Sequence, residues 1–82
     1  MDKQPIKIIY RKLGKEQASG LAYKEDRLIH LDSRLKGKEW LEVLIHEVLH
    51  IQNPTWSEIK IIGHSRELSE IVFNEAVKKL GF

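Results

Sequence analysis

The chain has 82 residues, 41% hydrophobic and 32% charged, with a formal net charge of +2, enough for one small domain that buries about 60–65% of its unfolded surface. It has no cysteine, which excludes disulfides and thiolate ligands and leaves any metal to His, Asp or Glu. The basic excess is too small and too scattered to point to nucleic acid, and no apolar run reaches membrane-spanning length. The lack of cysteine and of a signal-like N-terminal stretch fits a reducing cytoplasm.

The first predicted element is IKIIYRKL, β-branched and aromatic, with Pro5 at its start, where a strand tolerates proline. Gly14 and KEQASG read as a connection. GLAYKEDRLIHLD then splits at Lys24-Glu25-Asp26 into two short strands joined by a tight turn. In the second of these, Leu28, His30 and Asp32 alternate with Ile29 and Leu31, as in a half-buried strand. A polar turn, Ser33 to Lys38, leads into a helix that reaches about His50, and Asn53-Pro54 stops it. Thr55 with Glu58 has the capping-box pattern for a second helix, from about Trp56 to Leu80, with Gly63 and His64 as candidate bend points. The whole is one α+β domain over residues 1–82: a small, mostly antiparallel three-stranded sheet followed by a two-helix hairpin, β-β-β-α-α. Trp40 and Trp56 are expected in the core, and Phe82 in the core or a contact. The basic pairs Arg11–Lys12 and Lys78–Lys79 are expected on the solvated surface.

The first helix carries HEVLH at residues 46–50. At about 100° per residue, Leu41, Leu44, Ile45 and Val48 form the core arc, while His46 and His50 stand about 40° apart on another face shared with Val43. Histidines at i and i+4 project the same way, so both rings can reach one ion at about 2.0–2.1 Å. Glu47, about 100° from His46, is poorly aimed at that ion but can reach a water on it. A carboxylate there can take the water's proton and pass it to a departing amine. Five residues of this kind arise often by chance; their place in a helical segment after a strand-turn unit is what gives them weight.

A catalytic zinc usually has three protein ligands and one open position. Downstream stand Glu58, His64, Glu67 and Glu70. With Glu58 set at zero, Ile61, Ser65, Leu68, Val72 and Ala76 fall within about 80° of it, which puts Glu58 on a buried stripe where an unpaired carboxylate is costly. Glu58 is therefore the first candidate for third ligand, against its simpler role in the capping box with Thr55. His64 is the runner-up, reaching the metal if the helix starts late or breaks at Gly63. Glu67 and Glu70 read as solvated charges, and His30 as a surface or cross-strand residue.

On these residues the chain resembles the zincin metallopeptidases, and most of all the very small metallopeptidases of bacterial viruses (phage) and mobile elements. RLIHLDSRLKGKEWLEVLIHEVLH, then NPTWSEIKI, then a closing helix ending in LGF, match in order over about the last two-thirds of the chain. The resemblance implies a minimal zincin-like fold, zinc held by His46, His50 and Glu58, and Glu47 as catalytic base. GHSREL is similar to the segment that supplies a third histidine in SprT-like metallopeptidases, which would make His64 the ligand instead. The chain is not a metzincin, since Asn53 and Trp56 stand where that group has glycine and its last histidine.

The function expected is hydrolysis of a peptide or protein substrate by metal-activated water. The alternative is a metal-stabilised binding or regulatory module without turnover. A substrate could add to the edge of the sheet along RLIHLD, with shallow pockets or pockets completed by a partner chain. His64 or Tyr23 are candidates to stabilise the oxyanion.

Overall fold

The structure, a computed structural model, describes residues 4–81; Phe82, and with it its expected role in the core or a contact, lies outside them. Three strands, β1 (Lys7–Arg11), β2 (Gly20–Tyr23) and β3 (Leu28–Asp32), precede two helices, α1 (Gly37–Gln52) and α2 (Glu58–Leu80). This is the α+β, β-β-β-α-α order read from the sequence.

The sheet is mixed rather than mostly antiparallel. Its order is β1-β3-β2, with β3 parallel to β1 and antiparallel to β2. The cause is the connection between β1 and β2, which contains a short 3-10 turn at Gly14–Glu16. It reverses the chain but leaves room for one strand between β1 and β2. The turn after β2, closed by the Arg27 N–H on the Lys24 carbonyl (3.3 Å), folds β3 into that space. RLIHLD is thus the central strand, which corrects its assignment as the substrate-pairing edge. Centrality also explains its burial: Ile29 and Leu31 are fully buried and form the core with Ile51. Each such side chain contributes roughly 1.5–3 kcal/mol.

Helix α1 packs on β2 and β3 with one side and on α2 with another. Being covered twice, it has no single core face. Leu44 and Val48 meet the core as expected, but so does Val43, while Leu41 faces Val72, Phe73 and Ala76 of α2. Trp40 packs against the core and donates its indole N–H to the Tyr10 hydroxyl (3.0 Å). Trp56 is instead half-buried beside His64 and under the Lys60 ammonium. The buried stripe of α2 runs Ile61, Ser65, Ser69. The two serines turn their hydroxyls back onto the carbonyls of Ile62 and Arg66 (3.1 Å each), so small, satisfied side chains let the helices approach. Leu68 and Val72, expected on the stripe, are displaced to its exposed flank.

Asn53 ends α1, its backbone N–H (2.8 Å) and side-chain amide (3.3 Å) both donating to the Leu49 carbonyl. The cap of α2 is Ser57, whose hydroxyl accepts the Lys60 N–H at 3.2 Å, and not Thr55. The helix then runs unbroken through Gly63 to Gly81, which closes it in the left-handed conformation (φ 77°). Of the basic pairs, Lys78 is surface-exposed as expected, but Arg11 is half-buried, donating to His30 Nδ1 (2.8 Å) and pairing with Glu16 (2.9 Å).

Asp32 ties the strands to the loops beside them. It is buried and accepts the backbone N–H groups of Leu13 (3.1 Å) and Arg34 (2.9 Å) and two guanidinium N–H groups of Arg34 (2.9 and 2.7 Å). The Arg34 side chain, then its backbone N–H, hold the Asp32 carboxyl well below the usual carboxylate range. A carboxyl depressed on folding adds stability that is present above its unfolded pKa of about 3.9 and lost as pH falls toward its folded value. The wild-type melting temperature should therefore fall steeply below about pH 4. Asp32→Asn should melt lower at pH 7 and change less on acidification, a comparison made by circular dichroism at pH 7 and pH 3.

Candidate metal centre

Residues 42, 46 and 50 succeed one another at four-residue steps and line one ridge of α1. The rings of His46 and His50 stand edge to face with centroids 4.9 Å apart. Both are partly buried, with side-chain exposures of 23% and 18%.

Glu58 comes to them from the first turn of α2. Because Ser57 is the cap, Glu58 is the first helical residue and not the third, so its side chain is released from capping and turns to α1. One carboxylate oxygen lies 2.7 Å from His46 Nε2 and the other 3.3 Å from His50 Nε2. One ligand atom from each of the three residues falls within 4.8 Å of the others, and this is the sole such His/Asp/Glu group among the described residues. Ligands at 2.0–2.1 Å around a tetrahedral ion are about 3.4 Å apart. The His50 contact already has that spacing, and the His46 contact reaches it by a small opening of the carboxylate. Two imidazoles and a carboxylate are also a donor set that zinc accepts, so the residues fit the ion. Glu58 is not buried as its stripe position implied; its side chain is 59% exposed, leaving the site open on that side.

Glu47 is buried at 9% exposure. Burial, and then the negative charge of Glu58, push its carboxyl up to about 7, which is the range in which a carboxylate exchanges protons near neutrality. It sits beneath β2, and Gly20 is what lets it. A methyl group on Gly20 would lie 2.9 Å from Glu47 Cγ, 2.9 Å from Val43 Cγ1 and 3.0 Å from Glu47 Oε2. Both carbons are close to the α1 backbone and have little room to give, so these side chains, the helix or the strand must shift. Gly20→Ala should cost about 1–3 kcal/mol, read as a lower urea midpoint, and should displace Glu47 from the histidines.

A groove of about 400 Å³ runs over the site, lined by Gly20, Leu21 and Ala22 of β2 and Lys24 just past its end, and by His46, Glu47, His50 and Glu58 beneath. The Ser19 carbonyl accepts the Asp32 N–H at 2.9 Å, so in an antiparallel ladder residues 19, 21 and 23 face β3 and the alternate residues face outward. Gly20 and Ala22 therefore turn their backbone N–H and C=O groups to the open edge above the histidines.

The other sequence candidates lie elsewhere. His64 stacks on Trp56 with centroids 4.7 Å apart, outside the His46–His50–Glu58 group. His30 and Tyr23 meet edge to face at 5.0 Å, on the sheet face away from α1, so neither Tyr23 nor His64 lines the groove. Glu67 is exposed, and Glu70 pairs with Lys38. The sequence did not single out Gly20, Ala22 or Glu42. Gly20 carried a signal, since glycine in a strand marks close approach of another element.

No protein-family model matches the chain, nor does any curated protein or solved structure. Among the described residues no helix is long and apolar enough to cross a membrane.

Proposed function

We propose that the chain is a zinc-dependent peptidase, of the minimal kind that its HEVLH segment resembles, in which His46, His50 and Glu58 hold the metal and Glu47 moves the proton. The observation that carries this is the convergence of His46 Nε2, His50 Nε2 and both Glu58 oxygens beside the buried Glu47 carboxyl. Zinc bound there would supply a Lewis acid, polarising a carbonyl oxygen and lowering the pKa of a water toward about 7.

The chain's own residues do the rest. The outward backbone groups of Gly20 and Ala22 pair with an extended peptide, which becomes a fourth strand on β2 and lies across the histidine face of α1. Glu47 takes a proton from water as its oxygen adds to the carbonyl carbon, and returns it to the nitrogen as the C–N bond breaks. Pairing through the backbone asks little of the substrate's side chains, so the substrate class is unfolded or extended polypeptide.

The test is digestion of an unfolded protein by the zinc-loaded chain, read by mass spectrometry. Fragments that cease with a chelator and return with added zinc are expected. A fully zinc-loaded protein that yields no fragments contradicts the proposal.

A further inference from the structure

The groove does not stop at the metal ligands. Past His46 it continues for about 210 Å³ between Ser19 and Gly20 on the strand side and Glu42, Val43, His46 and Glu47 on the helix side. Glu42 stands one turn before His46 on the same ridge of α1, and its side chain is 40% exposed. Among the described residues its cationic partner is Arg66, at 3.8 Å, with a side chain 72% exposed. That contact is long and in solvent, so it is worth little and can be displaced. Val43 beside it offers an apolar wall to a methylene stem. At the other end of the groove the charge is opposite: Lys24 lines it, its ammonium 3.4 Å from the Pro54 carbonyl.

Chain direction turns this polarity into specificity. Strand β2 runs from Gly20 to Tyr23, and an added strand is more stable antiparallel. A peptide so paired has its N-terminal half toward Lys24 and its C-terminal half toward Ser19 and Glu42. We propose that Glu42 is a specificity-determining residue: it selects lysine or arginine among the first two residues on the amine side of the scissile bond. The long cationic stem lies along Val43 and its head displaces Arg66 from the carboxylate. This rests on the peptidase proposal in that it needs a peptide along β2.

Cut sites in a randomised peptide library, digested by zinc-loaded protein, give the test. Lysine and arginine should be enriched at those two positions about fivefold over neutral residues, the factor that an exposed ion pair of ~1 kcal/mol supplies. Glu42→Gln should erase the enrichment and Arg66→Gln should deepen it. Cuts without a basic preference there, or with one that survives Glu42→Gln, overturn the inference while leaving the peptidase intact. If no peptide is cut, it is the peptidase proposal that fails, and binding decides the inference instead. For that measurement, labelled alternating Ala-Lys and Ala-Glu decapeptides are titrated with zinc-loaded Glu47→Gln protein, with and without Glu42→Gln. A Lys-peptide advantage that disappears with Glu42→Gln sustains the role of Glu42; equal affinities overturn it.

Discussion

Glu47→Gln should retain zinc with unchanged stoichiometry and lose hydrolysis by ~10²–10⁴-fold, the share of a rate that a positioned acid–base group supplies. Glutamine keeps the shape of the buried side chain, so the fit beneath Gly20 is preserved and the fold should survive. What it lacks is a lone carboxylate able to accept a proton from water and hand it to the amine. Glu47 is also the residue that separates two uses of the same cluster. A metal that only braces the helical hairpin has no need of a carboxylate at this place, and burying one carries a cost that an amide would avoid. If wild type and Glu47→Gln behave alike across a peptide library, with zinc bound to both, the chain is a metal-stabilised binding module.

Zinc should also stabilise the fold strongly, because its proposed ligands come from two helices. His46 and His50 belong to α1 and Glu58 to α2, so an ion held by all three pins the helices together beside the short loop at residues 53–57. At a free concentration one hundred times its dissociation constant, a ligand bound only by the folded state adds about 2.7 kcal/mol. For a domain of this size that corresponds to a rise of about 10–20 °C in melting temperature. His50→Ala should abolish the rise. His64→Ala should keep it, since His64 stacks on Trp56 away from the group. Thermal unfolding with and without zinc checks all three proteins; a zinc effect that vanishes with His64→Ala instead would move the ligand role to that residue.

How far the sequence was legible depended on the range of the interaction concerned. The α1 ridge of His46 and His50 follows from helical spacing alone, and Asn53-Pro54 marks the end of the helix by local backbone sterics. Ser57 was harder to see, because Thr55 with Glu58 satisfies the same local pattern and three-dimensional context chose between them. That choice matters, since a Glu58 at the first helical position is free to face the histidines. Strand order was not legible: the pattern of β3 fits a half-buried strand on either edge or in the centre. The mixed order arises from the path of residues 12–19, a connection whose composition says only that it is irregular. The groove-lining role of Glu42 was hidden for the same reason, as it needs the edge of β2 to lie over that turn of α1.

Diffraction from zinc-loaded crystals at the zinc absorption edge decides whether these three residues hold the ion. One strong anomalous peak is expected within about 2.0–2.2 Å of His46 Nε2, His50 Nε2 and a Glu58 oxygen, with Glu47 beside it and not bonded to it. A peak at His64 or Glu47 in place of Glu58, or no peak at the histidine pair in fully loaded protein, would contradict it.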